Sequence, residues 1–291
     1  MGGLITVGVD GSATGREALR FALWEGALRG ARVRVVHAWT IPALTMTGVG
    51  MVPSYVEVED ELAANAATSI REELERVAKS AEGVEIEQRV VKDDAGGALV
   101  GLSADADLLV VGSRGRGAVA SAMLGSVSQA CLHHASCPVA VVHVAHYSEH
   151  SRLVVGVDGS QGSAAALEWA FAEARLRGVA VHALCAYQEP WGLSGGVVRS
   201  PEAVQELRQA LRQNAAQVVE SMERAAPEDV AITGETVAAP AGHALVAAAS
   251  DADMLVLGTR GRGGFASLTL GSVSRYCASH AGGVVVVVRP T

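Results

Sequence analysis

Residues 105–117 read DADLLVVGSRGRG, and residues 251–263 read DADMLVLGTRGRG. Ten of the thirteen positions are identical and the other three are conservative. The same offset of 146 carries Leu124-Gly125-Ser126-Val127-Ser128 onto Leu270-Gly271-Ser272-Val273-Ser274. Nearer the amino terminus, Val7-Gly8-Val9-Asp10-Gly11-Ser12 recurs unchanged as Val155-Gly156-Val157-Asp158-Gly159-Ser160, at an offset of 148. The chain of 291 residues is therefore written twice, as domains at 1–146 and 150–291. A period this long marks a duplicated domain, not a solenoid repeat.

Each copy alternates short β-branched runs with helical patterns. In the first, strands are expected at 4–9, 32–38, 84–91, 108–112 and 139–144, with helices at 14–29, 57–81, 97–104 and 126–134. The second repeats the strands at 153–157, 180–185, 231–237, 254–258 and 284–289. Strands alternating with helices imply a parallel sheet covered on both faces. The fold class is α/β: two tandem five-stranded, doubly wound, Rossmann-like domains with strand order 3-2-1-4-5. The last strands, Pro138-Val139-Ala140-Val141-Val142 and Gly283-Val284-Val285-Val286-Val287-Val288, would aggregate if left bare at a sheet edge. They are expected to pair with each other or with another chain, within a homodimer.

Composition narrows the function. The net charge is −8, aromatic residues are 4%, and only Lys79 and Lys92 are lysines, which argues against nucleic acid as a partner. The stretch 117–148 lacks Asp, Glu, Lys and Arg, but glycine, proline, serines and four histidines interrupt it, so no membrane span is expected. Four cysteines are too few for a disulfide scaffold, and with no basic leader the chain reads as cytoplasmic.

After the fourth strand of each copy comes G-x-x-G, nine residues, then G-[ST]: Gly112, Gly115 and Gly125-Ser126, and again Gly258, Gly261 and Gly271-Ser272. Glycines let backbone N–H groups approach an anion, and the following helix start adds unpaired donors and a positive dipole end. The hydroxyl of Ser126 or Ser272 is expected to cap that helix or donate to phosphate. Arg114, Arg116, Arg260 and Arg262 place positive charge in the loops. No G-x-x-x-x-G-K-[ST] is present, which removes the P-loop reading. Gly115-x-Gly117-x-x-Ala120 fits a dinucleotide fingerprint but follows the fourth strand, with no acid at the required distance. Asp10 and Asp158 end the first strands, beside the fourth strands at the switch point where ligands bind such sheets. They suit ribose hydroxyls or a phosphate-bound Mg²⁺, or alternatively a turn at the head of the first helix.

On these motifs, both copies resemble the universal stress protein domain, and the whole chain resembles the tandem ATP-binding form of that family. The resemblance implies an adenine nucleotide alpha hydrolase-like fold with ATP, and possible Mg²⁺, as cofactors. It assigns binding in the first copy to Gly8, Asp10, Ala38, Gly112, Ser113, Arg114, Gly115, Arg116, Gly117, Gly125, Ser126, Val127 and Ser128. In the second copy it assigns binding to Gly156, Asp158, Ala183, Gly258, Thr259, Arg260, Gly261, Arg262, Gly263, Gly271, Ser272, Val273 and Ser274. The glycine loops and serines would hold the triphosphate, and the aspartates with the backbone at Ala38 and Ala183 would receive ribose and adenine. The implied function is a nucleotide-dependent stress-response regulator. The alternative is a slow ATP hydrolase or a nucleotidyl or phosphoryl transferase on the same site. It also implies pairing through the fifth strands.

Two constellations read as structural. Cys131 with His134 and Cys277 with His280 share a helix face, but two ligands do not complete a tetrahedral metal site. His37 and His182 read as ordinary strand residues.

Overall fold

In a computed structural model, residues 3–40, 55–77, 82–115, 124–143, 152–188, 201–262 and 269–290 are described. The chain divides into two compact units, Met1–Ala145 and His146–Thr291.

The first unit runs β1 (Leu4–Gly8), α1 (Ala13–Arg29), β2 (Arg32–Trp39), α2 (Tyr55–Arg76), β3 (Ile86–Lys92), α3 (Ala95–Leu102), β4 (Leu108–Gly112), α4 (Ser126–His134) and β5 (Val139–Val142). The second repeats it as β6 (Arg152–Gly156), α5 (Gln161–Arg177), β7 (Ala180–Tyr187), α6 (Pro201–Arg224), β8 (Ile232–Ala238), α7 (Ala241–Ala248), β9 (Met254–Gly258), α8 (Ser272–His280) and β10 (Val284–Val288). Within the first unit the order is β3-β2-β1-β4-β5, as expected from the sequence, and within the second it is β8-β7-β6-β9-β10. All described pairings within the units are parallel.

Apolar runs explain which strands lie at the centre. Ile5, Val7, Leu108, Leu109 and Val110 are at most 1% exposed, so β1 and β4 are covered on both faces. The peripheral β3 instead reads IEQRVVK, with Gln88 and Arg89 exposed. The helices divide between the two faces by the strand alternation. Gly26 of α1 sits against Val33, and α2 is tied to α1 by Arg16 Nε donating to Glu73 Oε2 at 2.9 Å. Leu99 of α3 sits against Gly8 on the other side.

Caps fix where the first helices begin and end. Ser12 and Ser160 accept from the amides of Gly15 and Ser163, while Gly30 and Gly178 stop α1 and α5 at φ 60° and 68°. No described helix is long and apolar enough to cross a membrane.

Candidate functional site: a duplicated cavity at the switch point

Strands β1 and β4 pair with Val7 opposite Val110, so their carboxyl ends emerge side by side. From β1 the chain continues through Val9 and Asp10, turns at Gly11 (φ 76°) and enters α1 behind Ser12. From β4 it leaves at Gly112 into the glycine loop. Here the chain reverses its direction of travel across the sheet, which opens a crevice. A cavity of about 490 Å³ occupies it. Strand ends (Gly8, Val9, Val36, Ala38), α3 (Ala95, Leu99) and the loop with the start of α4 (Gly112, Arg114, Gly115, Gly125, Ser126, Val127, Ser128) line it. One end is therefore apolar, and the other presents backbone and hydroxyl groups.

The loop is fixed from several directions. A methyl group at Gly112 would lie 2.7 Å from the carbonyl carbon of Thr14 and 2.8 Å from the amide of Gly15, so β4 ends directly against the first turn of α1. Ser128 Oγ donates to the Gly112 carbonyl at 2.6 Å, and Gly125 N donates to the Ser113 carbonyl at 2.9 Å. The Thr14 hydroxyl donates to the Arg114 carbonyl, and Ser12 Oγ does so at 3.3 Å. Asp10 Oδ1 accepts from Ser12 N at 2.9 Å, while its Oδ2 lies close over the Cα of Gly115. At the head of α4 the N-cap is Gly125, which has no side chain to bond the first-turn amides. Uncapped amides at a helix start form a ready anion site.

The second cavity, about 420 Å³, is built alike from Gly156, Val157, Asp158, Leu184, Ala186, Ala241, Leu245, Gly258, Arg260, Gly261, Arg262 and Gly271-Ser272-Val273-Ser274. Ser274 Oγ donates to the Gly258 carbonyl at 2.6 Å, and Gly271 is the N-cap of α8. Gly162 replaces Thr14, and a methyl there would lie 2.4 Å from the Arg260 carbonyl oxygen. Asp158 accepts from Ser160 N at 3.0 Å and from Arg262 N at 2.8 Å. Burial alone would raise its pKa, but hydrogen bonds from Ser160 and Arg262 outweigh it and hold the carboxyl below the usual range.

Most sequence-predicted residues thus meet in one cavity or the other, with three corrections. Ala183 is fully buried and lies off the second cavity. Gly156 pairs with Leu184 as Gly8 pairs with Val36, so the counterpart of Ala38 is Ala186, on the opposite strand face from Ala183. Ser113 and Thr259 point into the interior, at 0% and 3% exposed, and only their backbones shape the loop. Ser126 and Ser272 are the first helical residues, so neither caps its helix; the glycines before them hold that position. Arg116, Gly117 and Gly263 lie outside the described residues. The sequence reading missed the apolar wall from α3 and α7, Leu99 and Leu245. The apolar positions of those short helices, read against the switch point, were the available signal.

Cys131 and Cys277 are fully buried, and burial pushes both thiols up to about 12. His280 stacks on Tyr276 at 4.1 Å, with Nδ1 against the Tyr276 carbonyl at 2.9 Å. His182 bridges to Thr233 at 3.1 Å and Glu235 at 3.0 Å, and it is not among the residues lining the second cavity. Among the described residues no group of three or more His, Cys, Asp or Glu could hold a metal ion.

The universal stress protein family model matches residues 3–143 and 149–289. A universal stress protein of Mycolicibacterium smegmatis is 32% identical over 98% of this chain and 97% of its own. One from Mycobacterium tuberculosis is 31% identical over 98% and 96%. Among solved structures, a universal stress protein from Archaeoglobus fulgidus superposes with a TM-score of 0.66 at 19% identity, covering 99% of this chain and 96% of that one.

Proposed function

The chain belongs to the universal stress protein family, and from that premise we propose that it is an ATP-binding regulator with one site in each of domains 1–146 and 150–291. The observation that carries this reading is the pair of like cavities, each with an apolar end, one carboxylate, a glycine loop and an uncapped helix start. Adenine would enter between Ala38 and Leu99, or between Ala186 and Leu245. Asp10 and Asp158 would accept from ribose hydroxyls. The first-turn amides of α4 and α8, with Gly115 and Gly261, would hold the phosphates. Magnesium fits only as a passenger on those phosphates, because Asp10 and Asp158 are the sole carboxylates among the described lining residues. Bound, it would neutralise phosphate charge. ATP then acts as a signal: it orders the loops and changes the surface offered to partners, by no more than its differential affinity for the two states.

The test is to denature freshly purified protein and quantify the released nucleotide, with Ala38→Phe/Ala186→Phe in parallel to fill both apolar ends. Close to two ATP per chain, lost in the double variant, is expected. ADP in place of ATP would favour the hydrolase alternative. Absence of nucleotide, with no ATP binding on titration, would overturn the reading.

A further inference from the structure

The side chain of Arg262 does not turn into the cavity that its backbone helps to line. Arg262 N donates to Asp158 Oδ2 at 2.8 Å, which seats the residue at the rim of the second cavity. The side chain then leaves across the turn between β6 and α5. A methyl at Gly159 would overlap Nη2 and lie 3.0 Å from Cζ, so the guanidinium rests on a residue that has no side chain and stands at φ 78°. Beyond the turn, Arg262 Nη1 donates to Asn214 Oδ1 of α6 at 3.4 Å. Neither Gly159 nor Asn214 lines the cavity.

The far end of this strap lies on the other face of the sheet. Gly234 pairs with Ala183, and Val219 of α6 packs where a Gly234 side chain would stand, so α6 covers the face opposite Ala186. Cys185 shares that face. Burial pushes its thiol up and Asp158 adds to the rise, while the charge of Arg262 pulls the other way. The bond to Asn214 and the field at Cys185 thus agree in placing the guanidinium on the α6 side. Asn214 stands where α6 changes character: residues 205–210 and 212–214 are exposed, whereas Ala215, Val218 and Val219 are buried. The first copy repeats this in sequence, with Asn65-Ala66-Ala67 of α2 matching Asn214-Ala215-Ala216, and Ala66 is buried like Ala215.

Resting on the adenine-nucleotide reading above, we infer that Arg262 is a positioning residue that couples the second site to α6, rather than a phosphate ligand. Gly261, next to it, lies against Asp158 Oδ2 and belongs to the phosphate cradle, so whatever holds Arg262 also holds Gly261 in place. Donors already in place bind more tightly than donors that must be ordered on binding. Nucleotide and the Arg262–Asn214 bond therefore favour the same seated loop, and by reciprocity nucleotide steadies α6 at Asn214. At 3.4 Å the bond is long for a guanidinium donor, which leaves room to strengthen it. Occupancy of the second site is thereby reported at the exposed surface of α6.

The experiment titrates the nucleotide-free full chain with ATP by calorimetry, in an Ala38→Phe background that fills the apolar end of the first cavity. Asn214→Asp turns the bond into an ion pair and should tighten ATP roughly two- to fivefold, the range for an exposed pair. Plain repulsion between the new carboxylate and the phosphates predicts the opposite sign. Asn214→Ala should weaken ATP by a similar factor, and in an Arg262→Gln chain the same change should have no effect. Hydrogen exchange at residues 210–218 of α6 should slow on adding ATP, and that response should vanish in Arg262→Gln. ATP affinity unmoved by Asn214→Ala, ATP affinity unmoved or weakened by Asn214→Asp, or exchange in α6 indifferent to ATP would overturn this inference and leave the functional reading standing. ATP bound by the wild type but not in the Ala38→Phe background would also overturn it. Absence of ATP binding in the wild-type chain would overturn both.

Discussion

Replacing Gly258 or Gly112 by alanine tests how the cradle is built. At Gly258 the added methyl would lie 2.4 Å from the carbonyl carbon of Gly162, 2.5 Å from its oxygen and 2.8 Å from its Cα. At Gly112 the same atom meets Thr14 and Gly15 backbone at 2.7–2.9 Å. Comfortable carbon contacts are roughly 3.5–4.0 Å, so the overlap is about 1 Å. The obstructing atoms are backbone at the start of α5 or α1, so no side-chain rotation relieves it. Overpacking of this kind costs about 1–3 kcal/mol, and a clash with backbone belongs at the upper end. For a unit of this size that lowers the melting temperature by roughly 6–12 °C. Gly101→Ala is the control: it is exposed on α3 with nothing within 4 Å of the added carbon. That change should stabilise by about 0.5–1 kcal/mol, by reducing the freedom of the unfolded chain. Scanning calorimetry of the full chain reads all three. If Gly112→Ala and Gly258→Ala melt with or above the Gly101→Ala control, the close approach of strand end and helix start is wrong.

Three further outcomes follow from the same geometry. Asp158 has a folded-state pKa below its unfolded value, so its contribution to stability is complete above the unfolded pKa and fades as pH falls through the folded one. Urea denaturation in acidic buffers should show that loss in the wild type and not in Asp158→Asn; equal acid sensitivity would refute it. The Arg177–Glu173 pair is buried, with side chains 7% and 1% exposed, so Arg177→Ala should cost about 3–5 kcal/mol by taking the cation from a buried carboxylate, read as a lower urea midpoint. Cys131 and Cys277, with thiols pushed up to about 12, should resist an aromatic disulfide reagent in native buffer at pH 8 and react on unfolding. Rapid native labelling of either would contradict their burial.

The fold was legible because duplication supplied every signal twice: the strand runs, the helix starts and the order in which they alternate. The place of the cavity was legible because the glycine loop follows a central strand, whereas Asp10 kept two readings, ligand carboxylate or turn, and the turn bond from Ser12 N is present at 2.9 Å. Legibility failed where register decides. The offset between copies is 148 through β2 and β7 but 146 from β3 and β8 onward, and Ala183 matches Ala38 at neither. Ala183 stands three residues from Ala186, and an odd shift in a strand turns a side chain to the other face, so Ala186 and not Ala183 lines the second cavity. The apolar wall was hidden for a different reason. Leu99 and Leu245 belong to helices of eight residues, in which a core-facing and a ligand-facing leucine carry the same pattern.

A glycine-serine motif invites the reading that each of its residues touches phosphate, yet the structure divides the work. Gly112 admits the first turn of α1, Ser113 faces the interior, and the Ser128 hydroxyl is used on the Gly112 carbonyl. What remains for a ligand is Gly115 over Asp10, Gly125 as an N-cap with no side chain, and the amides behind it. The same division holds at Gly258, Thr259, Ser274, Gly261 and Gly271. Identity between the two loops therefore reflects a shared scaffold. Loss of nucleotide in a Gly112 variant would not distinguish a missing contact from a displaced helix. Changes that leave the scaffold alone, such as those at Ala38 and Ala186, are the ones whose effects report on binding.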